Sequence, residues 1–145
     1  TAPEPEGEGA KKVMHMAMKD ANIKPEDVDH INTHGTSTGL GDIAEPKAVL
    51  KAFGEHAYKI ALNSTKSMTG HLLGAAGALE SMATIHALTK QIIPPTINLN
   101  ELDEEIDSKL DFVFNKAQER EIKIAMTNNF GFGGHNATIL FKRAE

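Results

Sequence analysis

Between Ala10 and Ala21, residues Ala10, Val13, Met14, Ala17 and Ala21 fall on one face at helical spacing, with Lys11, Lys12, Lys19 and Asp20 opposite. That pattern predicts an amphipathic helix, which Asn22 and Pro25 end or follow. Val28 to Thr33 is short, carries an apolar Val and Ile, and runs into His-Gly-Thr-Ser-Thr-Gly, which reads as a strand leaving for a loop. A second helix is expected from about Asp42 or Glu45 to Phe53, burying Ala48, Val49, Ala52 and Phe53. Its start has two readings, a capping box of Asp42 and Glu45 or Pro46 at the first helical position.

Lys59 to Asn63 reads as another short strand, followed by a loop from Ser64 to His71. From Leu72 or Gly74 to about Thr89 the pattern is helical but apolar almost all round, which predicts a helix buried in the middle of something and exposing apolar surface if what covers it is missing. Pro94-Pro95 stops it, and the acidic stretch Glu101 to Asp107 reads as a solvated loop. Phe112 to Phe114, Ile122 to Asn128 and Asn136 to Lys142 read as strands, the last two joined by Gly131-Phe132-Gly133-Gly134. Alternating helices and strands followed by a β-rich end predict an α/β fold with a mixed sheet.

Composition narrows the function classes. With 145 residues, 40% hydrophobic and 24% charged, the chain is that of an ordinary globular domain. A net charge of -5 gives no electrostatic reason to expect nucleic acid. No stretch approaches a membrane span, and no basic segment precedes an apolar one as in a signal peptide. The cysteine count is zero, which removes disulfides, thiolate metal sites and any cysteine nucleophile from this chain. Residues 1–9, Thr-Ala-Pro-Glu-Pro-Glu-Gly-Glu-Gly, have linker chemistry, so the expectation is a fragment: a linker remnant at 1–9 and a domain over 10–145.

Four segments combine small and polar residues: Asn32 to Thr38, Asn63 to His71, Gly74 to Glu80, and Asn128 to Gly134. In α/β sheets ligands bind beyond strand ends, where the first two sit. Seven histidines invite a metal reading. His30 and His34, however, would lie about 13 Å apart on a strand and could not share an ion. His15, His30, His56 and His86 read as surface or satisfied core histidines. Lys66-Ser67 lacks the glycine of a phosphate loop, and Gly131-Phe132-Gly133-Gly134 leads into a strand where a dinucleotide fingerprint needs a helix. Glu80 is the most informative single residue, because an unpaired carboxylate in an apolar helix would cost several kcal/mol. Either it has a partner such as Lys66, a histidine or an ion, or it lies on a narrow exposed stripe. Periodicity leaves both readings open.

The motifs Asn32-Thr33-His34-Gly35-Thr36-Ser37-Thr38 with Gly41-Asp42 and Glu45, and Ser64-Thr65-Lys66-Ser67-Met68-Thr69-Gly70-His71 running on to Gly77, carry a resemblance. Together with Pro94 to Asn98 and Asn128 to Asn136, they closely resemble the β-ketoacyl-acyl carrier protein synthases, and most closely their type II elongating branch. The resemblance covers essentially the whole chain. It implies a thiolase-like α/β fold, of which this chain would be the C-terminal half, a mixed sheet with packed helices and one nearly fully buried helix.

By the same resemblance, His34 and His71 are the catalytic histidines, Lys66 is the supporting lysine and Glu80 its neighbouring glutamate. Thr36 and Thr38 line the phosphopantetheine tunnel, with Phe130 and Phe132 also on the substrate side. Gly131, Phe132 and Gly133 belong to a gate loop in which the Phe132 N–H is an oxyanion donor. The implied reaction is decarboxylative condensation of a malonyl group with an acyl-enzyme thioester in fatty acid elongation, with no cofactor and no metal. The implied partners are acyl carrier protein, the N-terminal half carrying the nucleophilic cysteine, and a second protomer in a cytoplasmic homodimer. The fragment alone is expected to be inactive. His135 stands where threonine is common in the family and Asn129 where serine is common. The competing reading is a chain-length-factor-like partner without a nucleophile.

Overall fold

In the computed structural model, residues 4–144 are described. The first three residues of the expected linker lie outside them. Helix α1 spans Glu8–Asp20, so Glu8 and Gly9, expected in the linker, are already helical. The Glu4 carboxylate accepts the N–H groups of Glu6 and Glu8 at this start. Ala10, Met14 and Met18 form the buried stripe, and Ala21 lies beyond the helix and exposed. Strand β1 is His30–Asn32. Helix α2 is Gly39–Phe53, longer than either expected start. Asp42 returns its carboxylate to the Ser37 N–H at 3.1 Å, and Pro46 lies inside the helix, not at its first position.

Strand β2 is Ala61–Asn63, and the segment expected as a loop after it begins with a short helix α3, Lys66–Thr69. Helix α4 follows at Ala76–Lys90. The later strands are β3 at Ile92–Ile93, β4 at Asp111–Phe112, β5 at Gln118–Glu119, β6 at Ile124–Gly131 and β7 at His135–Lys142. The main sheet has the order β4-β2-β1-β6-β7, parallel except for β7, which forms a hairpin with β6. Strands β3 and β5 form a separate antiparallel pair that the sequence pattern did not predict.

Alternation along the strands gives the sheet two unlike faces. Ile31, Leu62, Ile124 and Met126 join Met14 and Met18 of α1 and Val49, Ala52 and Phe53 of α2 in one apolar core. Ala61 and Ala125 face the other way, with Ala87 and Leu88 of α4. That second face also carries buried polar groups. The Asn32 amide donates to the Thr65 hydroxyl at 3.1 Å, and His30 Nε2 is bonded to Asn63 Oδ1 at 2.7 Å.

In this chain α4 is buried on the side that faces the sheet and exposes apolar surface on the other, as expected where a covering partner is missing. The sheet-facing residues of α4 include Glu80 and Thr84, while Met82 and Ile85 are exposed. Polar groups on the sheet need polar partners, so the helix turns those residues inward and leaves its aliphatic side chains outside. The acidic stretch from Glu101 to Asp107 is a loop as expected, although Leu102 and Ile106 point inward and Tyr58 donates to Asp107 at 2.9 Å.

Candidate functional site

The C-terminal ends of the parallel strands gather the candidate residues at one edge of the sheet. Strand β1 ends at Asn32 and delivers His34. Strand β2 ends at Asn63 and delivers Lys66 in the first turn of α3. Strand β6 delivers Phe130 and the glycine turn. The two connections lock together at Gly35. Its φ is +33°, and a Cβ there would sit 2.7 Å from the Ser64 Cβ, so only glycine allows the approach. Ser64 Oγ donates to the Gly35 carbonyl at 2.8 Å across the contact.

His34 and His71 meet edge to face, their ring centroids 5.7 Å apart, with the Phe130 ring 5.5 Å from His34. The Leu73 N–H donates to His71 Nδ1 at 3.1 Å, which puts the His71 ring proton on Nε2. Burial, then the Lys66 cation and His71, hold His34 down from 6.5 to about 4. His34 is therefore a neutral imidazole near pH 7. A neutral ring can donate one hydrogen bond without carrying a charge into the site.

Behind the histidines, Lys66 is ion-paired with Glu80, both buried. This resolves the two readings of Glu80: it is 1% exposed and has the lysine as partner. Its other oxygen accepts from the Asn129 amide at 2.8 Å. A second buried carboxylate, Glu45 of α2, supports the His34 segment. Oε1 accepts the His34 N–H and Oε2 the Gly35 N–H, each at 3.0 Å, while the Asn128 amide donates to Oε1 at 3.1 Å. Burial pushes Glu45 up, and these donors oppose the shift.

A cleft of about 480 Å³ opens beside this edge. Lys66, His71 and Thr36 are on its polar side, with Leu62, Leu102, Phe112 and Phe114 among its apolar lining. Thr36 and Thr38 hydroxyls lie 3.2 Å apart, but Thr38 is exposed at the start of α2 and does not line the cleft. Phe130 sits against His34 instead of in the cleft, and Phe132 is 81% exposed. Gly133 and Gly134 have φ of +77° and +80°, which gives the tight turn between β6 and β7 its shape. The four histidines expected to be structural or on the surface are so placed: His15 and His56 bond to the carbonyls of Ala52 and Val28, His30 is core and His86 is exposed.

Sequence reasoning missed what Glu45 does, although its place between the core residues Ala44 and Ala48 signalled burial. It also missed Thr96, whose hydroxyl accepts the Ser64 N–H at 2.8 Å, and Ser67, whose hydroxyl accepts the Ile97 N–H at 2.9 Å. These two bonds pin the Pro94 to Asn98 segment against the lysine-bearing turn. No group of three or more potential ligands among the described residues is placed to hold a metal ion.

Comparison with known proteins gives a consistent result. Residues 1–100 match the family described as beta-ketoacyl synthase, C-terminal domain. The chain is 50% identical over 145 residues to the 3-oxoacyl-[acyl-carrier-protein] synthase 2 of Synechocystis sp. and 53% identical over 143 residues to that of Coxiella burnetii. It covers 100% and 99% of itself in these matches but spans only 34% of each relative. Among solved structures, a type II polyketide synthase acyl-carrier protein in complex with its ketosynthase bound to the hexaketide matches with TM-score 0.95 and 38% identity, over 100% of this chain and 35% of that one.

Proposed function

The chain belongs to the β-ketoacyl synthase family, matching its C-terminal domain, and from that premise we propose that it supplies the decarboxylation half of a condensing active site. The observation that carries this reading is the edge-to-face pair of His34 and His71 at the strand ends, with the Lys66–Glu80 ion pair behind it. In the proposed reaction, the C–C bond to the malonyl carboxylate breaks, carbon dioxide leaves and its bonding electrons pass into the thioester as an enolate. Imidazole N–H groups of His34 and His71 donate to the enolate oxygen, which carries more charge than the ground-state carbonyl oxygen. Donors aimed at developing charge accelerate the step, each by about 100- to 1000-fold.

The carbanion then attacks an acyl thioester on a cysteine. With no cysteine in this chain, that nucleophile comes from the N-terminal half of the parent protein. The thiolate leaves as the new C–C bond forms. Acyl carrier protein is the proposed carrier, because the relatives at 50% and 53% identity are named 3-oxoacyl-[acyl-carrier-protein] synthases. Thr36, on the cleft beside His71, is proposed to contact the phosphopantetheine arm, with Thr38 at its outer end. Phe130 and Phe132, with Gly131 and Gly133, form the proposed gate, and the Phe132 N–H is proposed as an oxyanion donor for the acyl-transfer step. No cofactor is part of this chemistry.

The test is carbon dioxide release from malonyl-carrier protein by the full-length parent. The expected result is release that produces an acetyl-carrier protein when no acyl group is loaded. Binding of malonyl-carrier protein without release would point instead to a non-catalytic partner of a synthase.

A further inference from the structure

We infer that Asn129 is a positioning residue for the Lys66–Glu80 pair and couples that pair to the glycine turn after β6. The inference rests on the decarboxylation reading above. Strand β6 ends by sending three successive side chains to alternate faces. Asn128 donates to Glu45, which holds the His34 and Gly35 N–H groups. Phe130, on that same face, packs its ring against His34. Asn129, between them, points to the opposite face and donates to Glu80 Oε2 at 2.8 Å.

Each Glu80 oxygen therefore has one partner, the Lys66 ammonium paired with Oε1 and the Asn129 amide donating to Oε2. A buried carboxylate with only one side anchored can rotate about its last torsion, and the lysine would follow it. The amide removes that freedom. The amide lies over Gly77 of α4, where even an added Cβ would meet its nitrogen only at an ordinary contact distance of 3.5 Å. Asn129 is also two residues before Gly131, and pairs with Ala137 of β7 in the register that carries the turn. Displacing the turn pulls on the amide first, and through it on the lysine beside the two histidines.

The side-chain chemistry needed is a hydrogen-bond donor, not asparagine as such. A serine hydroxyl donates, an aspartate repels Glu80, and an alanine does neither. The test is steady-state decarboxylation of malonyl-carrier protein by the full-length parent and its Asn129→Ala, Asn129→Asp and Asn129→Ser variants, with thermal unfolding recorded for each. Expected is a fall in kcat of about 10-fold for Asn129→Ala and at least as much for Asn129→Asp, with KM changed less than about 2-fold, since a hydrogen bond to a charged group is worth roughly that factor or more. Asn129→Ser should recover kcat to within about 3-fold of the parent.

Equal kcat in Asn129→Ala and the parent would overturn the inference. So would Asn129→Ala and Asn129→Ser losing activity equally in step with a lowered unfolding temperature, because that pattern belongs to packing alone. If Asn129→Ala fails to fold, the contrast between Asn129→Asp and Asn129→Ser decides in the same way, and equal rates for those two overturn it. A parent that releases no carbon dioxide sinks the decarboxylation reading itself, which separates the two failures.

Discussion

Glu45 and Glu80 are both buried at the same edge of the sheet, on opposite faces, and they are held by different chemistry. Glu45 forms no ion pair among the described residues, although the Lys66 cation acts on it from a distance; its oxygens accept two backbone N–H groups and one amide. Glu80 meets a lysine and an amide and, among the described residues, accepts no backbone N–H. Glu45 fixes the course of the chain at His34, whereas Glu80 fixes the place of a charge. The contrast follows from the two faces. The α2 side is an apolar core in which the carboxylate is satisfied by backbone N–H groups and one neutral amide. The α4 side is lined by Asn32, Thr65 and Thr84, which make room for an ion pair.

Isosteric replacement breaks the comparison most sharply. Glu80→Gln leaves the Lys66 ammonium buried without its counter-charge and should destabilise the protein by about 3–5 kcal/mol in denaturant unfolding. Replacing both partners, as Lys66→Met with Glu80→Leu, should restore most of that loss, because the double change leaves no buried charge.

Acid is the next lever. Burial holds His30 down from 6.5 to about 4, opposed by its bond to Asn63. The unfolded chain therefore binds a proton below pH 6.5 that the folded one refuses until about pH 4. Stability is complete above pH 6.5 and should fall by on the order of 3 kcal/mol as pH drops through that window. His34 adds to the same trend by a smaller amount because it is partly exposed. An unfolding free energy that stays flat from pH 6.5 to 4 would contradict this account of the polar face.

Glu45→Gln should have the smallest effect of the three. It removes an acceptor for one N–H group but strands no charge, so the cost is about 1–3 kcal/mol by the same denaturant measurement. Equal losses at Glu45→Gln and Glu80→Gln would erase the distinction between the two carboxylates.

Much of this architecture was legible in the chain. The α1 stripe of Ala10 and Met14, the strand pattern at His30–Asn32, and the glycine turn between β6 and β7 follow from local periodicity and turn chemistry. The start of α2 was not, because the Asp42 carboxylate reaches back to Ser37 and draws the helix start ahead of Pro46. The side of α4 that turns to the sheet was not legible, for a nonlocal reason. Which stripe of a helix turns inward depends on the sheet face beneath it, and here that face is polar. The candidate residues His34, Lys66 and His71 were legible as motifs. Their meeting at one edge depends on parallel pairing of β1, β2 and β6, which no short segment encodes. The roles of Glu45 and Asn129 were hidden for the same reason, since they rest on the register of β6 against elements far away in sequence.

The central claim is that His34 and His71 act together as donors to one developing negative charge. Its most direct test is the rate of malonyl-carrier protein decarboxylation by the full-length parent carrying His34→Ala, His71→Ala or both. Each single change should cost about 100- to 1000-fold in kcat, and the double change should cost far less than the product of the two, because the donors work as a unit. Single variants that keep their rate within about 3-fold of the parent while binding malonyl-carrier protein normally would contradict the account.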